Sequence, residues 1–142
     1  MYKNYKDKEE NNLYFYHPIT GKYRISSPFG KRGNNFHDAC DYVALENKTL
    51  RAVGHTIVSA VGFEKGGGGN FVKLKSLWYK DSVEMTYCHL DKIFIKVGDV
   101  LNGKDAIGVE GSTGHSTGDH LHFRIKLNGR AINPEGGIVK WV

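Results

Sequence analysis

Apolar positions along the chain recur at every second residue in short runs, and glycine, proline or asparagine ends each run. Such alternation turns one face of an extended strand toward a core. Residues 13–16 open as an aromatic strand, and Pro18 and Gly21 turn the chain over 17–21. A short extended piece over 23–26 ends at Pro28, and 30–35 is predicted as a loop. Strands are predicted over 41–45, over 50–62 in one or two pieces, over 71–75 and over 83–90, with the glycine run 66–69 as a hairpin tip. Segments 93–97 and 106–109 are also extended, and 111–119 is a long loop of glycine, serine and threonine. The strand 120–127 runs into Asn128 and Gly129, the pair that favours a type I′ hairpin turn, and Ala131, Ile132 and Pro134 close that unit. No segment carries the 3.6-residue period of a helix. The pattern predicts one all-β domain over 13–142, a polar lead-in over 1–12 and no tandem repeat.

Composition fits a single soluble domain: 142 residues, 39% hydrophobic and 25% charged, enough to bury a core without disulfides. Eighteen glycines against three prolines support many tight turns. The net charge of +5 comes from scattered lysines and arginines, so a basic run of the nucleic-acid-binding kind is missing. The charge still permits attraction to an anionic polymer such as the bacterial wall. There is no 18-residue apolar run, so no membrane insertion is expected. The first dozen residues lack the apolar stretch of a secretory signal. Cys40 and Cys88 form no CxxC pair. Two buried free thiols are expected, although spacing does not show whether they pair.

The histidines change the picture. His17, beside Pro18, and His55, beside Gly54, have no chemical partner nearby and read as structural. His120 and His122 lie at i and i+2, so in a strand they share one face at about 6–7 Å while Leu121 points to the core. His37 and Asp41 are four apart, and a straight strand would hold them about 13 Å from each other. The chain must therefore bend if both are to reach one ion, with His37 at a loop end and Asp41 at a strand entry. Together these residues offer imidazoles and one carboxylate. Two histidines and a carboxylate leave a tetrahedral position open for water, as in catalytic zinc sites, and iron(II) oxygenases use the same set. His89 ends a strand, where alternation places it with Tyr87 and opposite Cys88. It is a candidate general base or oxyanion partner.

Taken together, His37-x-x-x-Asp41, Tyr87-x-His89-Leu90 and the run from Gly118 through His120-Leu121-His122 to Phe123 resemble the lysostaphin-type, LytM-like zinc endopeptidases in order and context. Residues 25–32, 69–72, 97–108 and the glycine–serine loop before His120 extend the likeness to about 14–134. The resemblance implies a compact antiparallel two-sheet β fold, a duplicated hybrid motif with an open groove. It implies one zinc ion held by His37, Asp41 and His122, with His89 and His120 sharing the roles of general base and stabiliser of the tetrahedral intermediate, in either order. The implied substrate is the peptide part of peptidoglycan, cut at a glycine bridge or a stem-peptide link. Action is then expected on the cell wall outside the cytoplasm, and a chain without a signal segment fits a phage-particle protein, a phage lysin released by lysis, or a domain of a longer secreted chain. The sequence departs from the family at three places. Ala39 stands where glycine is common, Cys40 replaces an aliphatic residue, and Asp119 replaces a proline beside His120, where it would orient that ring or simply be solvated. His115 has no family role and reads as a surface or groove-lining residue.

The sequence argues against two other classes. A catalytically inactive relative that binds or activates wall hydrolases typically loses metal ligands, and this chain keeps them. A lipoyl-like carrier lacks its lysine at a hairpin tip. The run from Gly98 to Asp105 resembles a phosphate-binding loop but has Asp105 where Ser or Thr must bind magnesium, and the segment after it is β-like.

Overall fold

The computed structural model describes residues 12–142, so nearly all of the expected lead-in lies outside the described residues. The described residues form strands β1 (Leu13–Phe15), β2 (Tyr23–Ser27), β3 (Gly30–Arg32), β4 (Asn35–His37), β5 (Cys40–Ala44), β6 (Thr49–Arg51) and β7 (Thr56–Glu64). They continue with β8 (Gly69–Ser76), β9 (Val83–Ile93), β10 (Val100–Leu101), β11 (Ala106–Glu110), β12 (Leu121–Leu127), β13 (Arg130–Ile132) and β14 (Val139–Trp141). There is no helix among them, so none is long and apolar enough to cross a membrane. The all-β expectation holds.

Ten strands share one antiparallel sheet whose main path runs β10-β7-β8-β9-β12-β5-β2. The sheet forks at β9. Leu90 pairs with Asn70 of β8 and with Glu110 of β11, so these two strands lie on opposite edges. On the β11 edge, β12 first pairs with Val83 to Cys88, and the β6–β11 arm takes over beyond. Both arms supply one core, Leu50 and Ile107 from one and Leu74, Tyr87 and Phe123 from the other. Full burial of such a side chain contributes about 1.5–3 kcal/mol.

Several local outcomes differ from the sequence pattern. The predicted loop 30–35 is a two-stranded ribbon, β3–β4, turning at Gly33 with φ 59°. Segment 93–97 leaves the sheet after Ile93. β14 carries no alternating signal, yet it pairs with β1 in parallel, the one exception to the antiparallel expectation among the described strands. The Asn128–Gly129 turn has φ 52° and 83°, both positive as a type I′ turn requires.

The sheet's two faces sort by parity. On β12, Leu121, Phe123 and Ile125 are fully buried, while His122 and Arg124 point the other way and line a groove. The same rule sends Cys40 and Tyr42 of β5 to the core and Asp41 to the groove.

Candidate functional site

An open groove of about 700 Å³ crosses the outer face of β8, β9, β12 and β5. His37, Asp41 and His122 meet in its floor, their ligand atoms all within 4.8 Å of one another. Asp41 and His122 face each other directly across β5 and β12. His122 Nδ1 is 2.8 Å from Asp41 Oδ1, and His37 Nε2 is 3.4 Å from the same oxygen. His37 closes β4, and the chain bends at Ala39 before β5, which is how a four-residue spacing brings the pair together. Ala39 is buried and has no positive φ, so the bend does not use the freedom of glycine. Nδ1 of His37 donates to the Pro28 carbonyl at 3.0 Å, which leaves Nε2 with its lone pair toward Asp41.

Burial would raise the Asp41 carboxyl. The hydrogen bond from His122 and the nearby rings of His122, His37 and His120 outweigh it and hold the group below the usual aspartate range. The donor set suits a metal. Bonds of about 2.0–2.1 Å in a tetrahedron place neighbouring ligand atoms about 3.3 Å apart, and the 2.8 Å and 3.4 Å separations at Asp41 Oδ1 bracket that value.

His89 and His120 stand beside the triad, their rings 4.6 Å apart, and the ring of His89 is 6.0 Å from that of His122. Strict alternation fails at His89. Its φ is 69°, and this left-handed step puts both Cys88 and His89 in the groove, while Tyr87 alone faces the core and donates to the Arg51 carbonyl at 2.9 Å. The expectation that Cys88 lies opposite His89 is therefore corrected. His89 Nδ1 donates to the Thr113 carbonyl at 2.7 Å, so its Nε2 carries the free lone pair. Burial lowers its pKa, the Thr113 hydrogen bond opposes this, and His120 and His122 lower it further. His120 precedes β12 and bridges Gly111, and its Nδ1 lies 3.0 Å from the Gly118 carbonyl and 3.2 Å from Ser116 Oγ.

Asp119 does not orient His120, because its carboxylate pairs with Lys48 at 2.5 Å. His115 is exposed at the groove rim. His55 is exposed and lies outside this groove, and His17 stacks on Tyr23 at 4.1 Å in a separate cluster. Cys40 and Cys88 are free and lie on opposite faces of the sheet. Burial pushes each thiol up to about 11. The groove also contains residues the sequence reading did not single out. Lys73 and Arg124 line it, and Thr113 fixes His89. Parity two residues beyond His122 points to Arg124, but nothing local marks Thr113.

Known proteins resemble this chain in sequence and in fold. The chain is 38% identical over 117 residues to the DD-carboxypeptidase/endopeptidase Mpg of Neisseria meningitidis, covering 78% of this chain and 26% of that protein. It is 30% identical over 143 residues to the peptidoglycan DD-endopeptidase ShyA of Vibrio cholerae, covering 91% and 31%. The chain thus spans about a quarter to a third of the length of these relatives. The catalytic domain of the antimicrobial peptidase lysostaphin from Staphylococcus simulans superposes with a TM-score of 0.69 at 30% identity, covering 79% of this chain and 89% of that domain. The sequence profile of Peptidase family M23 matches residues 35–134, a span that holds His37, Asp41, His89, His120 and His122, and the chain belongs to this family.

Proposed function

We propose that the chain is a zinc-dependent endopeptidase that hydrolyses peptide bonds in bacterial peptidoglycan and so acts on the cell wall outside the cytoplasm. The observation that carries the reading is the convergence of three ligand atoms and two further imidazoles in one open groove. Family membership and the activities named for Mpg and ShyA support it.

His37 Nε2, Asp41 Oδ1 and His122 Nδ1 would hold one zinc ion. When bound, the ion supplies a Lewis acid for the scissile carbonyl and makes water more acidic. The protein's own groups do the rest. His89 Nε2, neutral because burial disfavours its charged form, takes the proton of the attacking water. His120, more exposed and one ring away, stabilises the oxygen that gains charge in the tetrahedral intermediate. The groove admits an extended peptide, and the left-handed step at His89 aims its ring at the reacting centre.

The test is release of new amino groups from purified peptidoglycan, with and without a zinc chelator. Chelator-sensitive release is expected, and His122→Ala should lose bound zinc and amine release together. Stoichiometric zinc with no amines from any wall type would overturn the enzyme reading in favour of a binding domain.

A further inference from the structure

The groove floor carries a charge arrangement that the metal triad and the two histidines do not explain. One rung of the sheet holds Cys88, His122 and Asp41 side by side on β9, β12 and β5. The next rung on the same face holds Lys73, Thr86 and Arg124 on β8, β9 and β12. The rung after that holds Lys75, Glu84 and Lys126. There a carboxylate stands between two cations. In the Lys73–Thr86–Arg124 rung the middle position is neutral, and two cations flank an uncharged hydroxyl in the groove floor.

These cations are poorly matched within the protein. Arg124 Nε is buried with no acceptor among the described residues, and Nη1 makes only a 3.4 Å contact with Asp38. Lys73 has no ion pair among the described residues. Of the groove's two carboxylates, Asp41 belongs to the triad, and Glu64 already accepts the Gly68 amide at 2.9 Å. A planar guanidinium beside an ammonium is a recognition surface for a carboxylate, which takes the guanidinium edge and the ammonium together.

We propose that Lys73 and Arg124 form a carboxylate-recognising subsite, and that the preferred substrate is a peptide bearing a free carboxylate within two residues of the scissile bond. The proposal rests on the endopeptidase reading and deepens it. The distance follows from the sheet, since one rung on the same face is two residues, about 7 Å along a strand. Two residues of an extended substrate cover about the same length. Acidic stem-peptide links fit this chemistry, and uncharged glycine bridges do not.

The test uses two fluorescent cross-linked stem peptides, one with the free carboxylate beside the scissile bond and its carboxamide twin. Cleavage and binding anisotropy are measured on the zinc-loaded chain, on Lys73→Gln, on Arg124→Gln and on the charge-keeping Arg124→Lys. A charge-assisted pair contributes on the order of tenfold in affinity. Wild type should therefore favour the free acid by at least about tenfold, mainly through KM. The ratio should fall toward one in the two glutamine variants and be partly restored in Arg124→Lys. Turnover with equal use of both peptides would overturn the subsite and leave the peptidase reading standing. Binding discrimination that depends on Arg124, without turnover of either peptide, would keep the subsite and overturn the peptidase reading.

Discussion

His89 combines its proposed role as the base with backbone strain. A side chain at φ 69° lies where non-glycine residues cost roughly 1–2 kcal/mol. The cost is offset by fixation from both ends, since the His89 amide donates to the Gly68 carbonyl and the ring to the Thr113 carbonyl, each at 2.7 Å. Two substitutions separate the roles. His89→Ala keeps the strain and removes the ring. It should retain zinc and lose about 10²–10⁴-fold in turnover, the usual share of a general base. His89→Gly should be equally inactive yet about 1 kcal/mol more stable than His89→Ala in denaturant unfolding, because glycine has no Cβ to clash at positive φ. Loss of zinc from His89→Ala would make this ring a ligand instead. A stability order with alanine above glycine would remove the strain argument.

Between elements, the β7–β8 hairpin and the loop before β12 are locked by close approach. A Cβ on Gly114 would fall within 2.6 Å of backbone atoms of Gly69 and Gly67, and one on Gly69 would meet Thr113 as closely. Asn70 N donates to Thr113 Oγ1, His115 N to the Gly67 carbonyl, and Thr113 Oγ1 to the Leu90 carbonyl. The loop is thereby held where its Thr113 carbonyl meets His89. Gly114→Ala should force the two segments apart, costing about 1–3 kcal/mol and lowering kcat more than zinc affinity. Thermal melts, zinc titration and turnover on one preparation check this. Normal kcat in a destabilised variant would show that the contact serves stability alone.

At the scale of the whole molecule, the first and last of the described strands are tied to the strand that carries Asp41. Glu135 Oε2 accepts from Tyr42 OH at 2.5 Å and from Trp141 Nε1 at 3.0 Å, with His17 Nε2 at 3.4 Å. Tyr42 neighbours Asp41 on β5, Trp141 ends β14, and β14 pairs with β1. Burial would raise the Glu135 carboxyl, but the nearby His17 ring and the hydrogen bonds from Tyr42 and Trp141 outweigh it and hold it below the usual glutamate range. A carboxyl depressed in the folded state adds stability above its unfolded pKa and loses it as pH falls through the folded value. Glu135→Gln should therefore cost about 1–3 kcal/mol near neutral pH, with the gap to wild type closing in acid below the ordinary glutamate range. Melting curves over that range test the sign, and a gap that widened in acid would refute it.

Strand character and the parity of the site were legible in the residue pattern. Alternation is local, so Leu121 and Phe123 declared the core face of β12 and thereby the groove face of His122 and Arg124. The separated histidines and Asp41 were legible as candidates because their residue types and spacings carry chemistry. Tertiary structure decided what no local pattern encodes. The β1–β14 pairing joins the two ends of the described chain, and the β3–β4 ribbon forms in a stretch rich in glycine and asparagine with no apolar alternation. The left-handed step at His89 breaks alternation because the hairpin tip and the Thr113 loop fix it from both sides. Asp119 turned to Lys48, a residue 71 positions away, instead of to its neighbour His120. Side-chain parity is a property of two residues, whereas pairing, strain and ion partners depend on which distant segments the fold brings into contact.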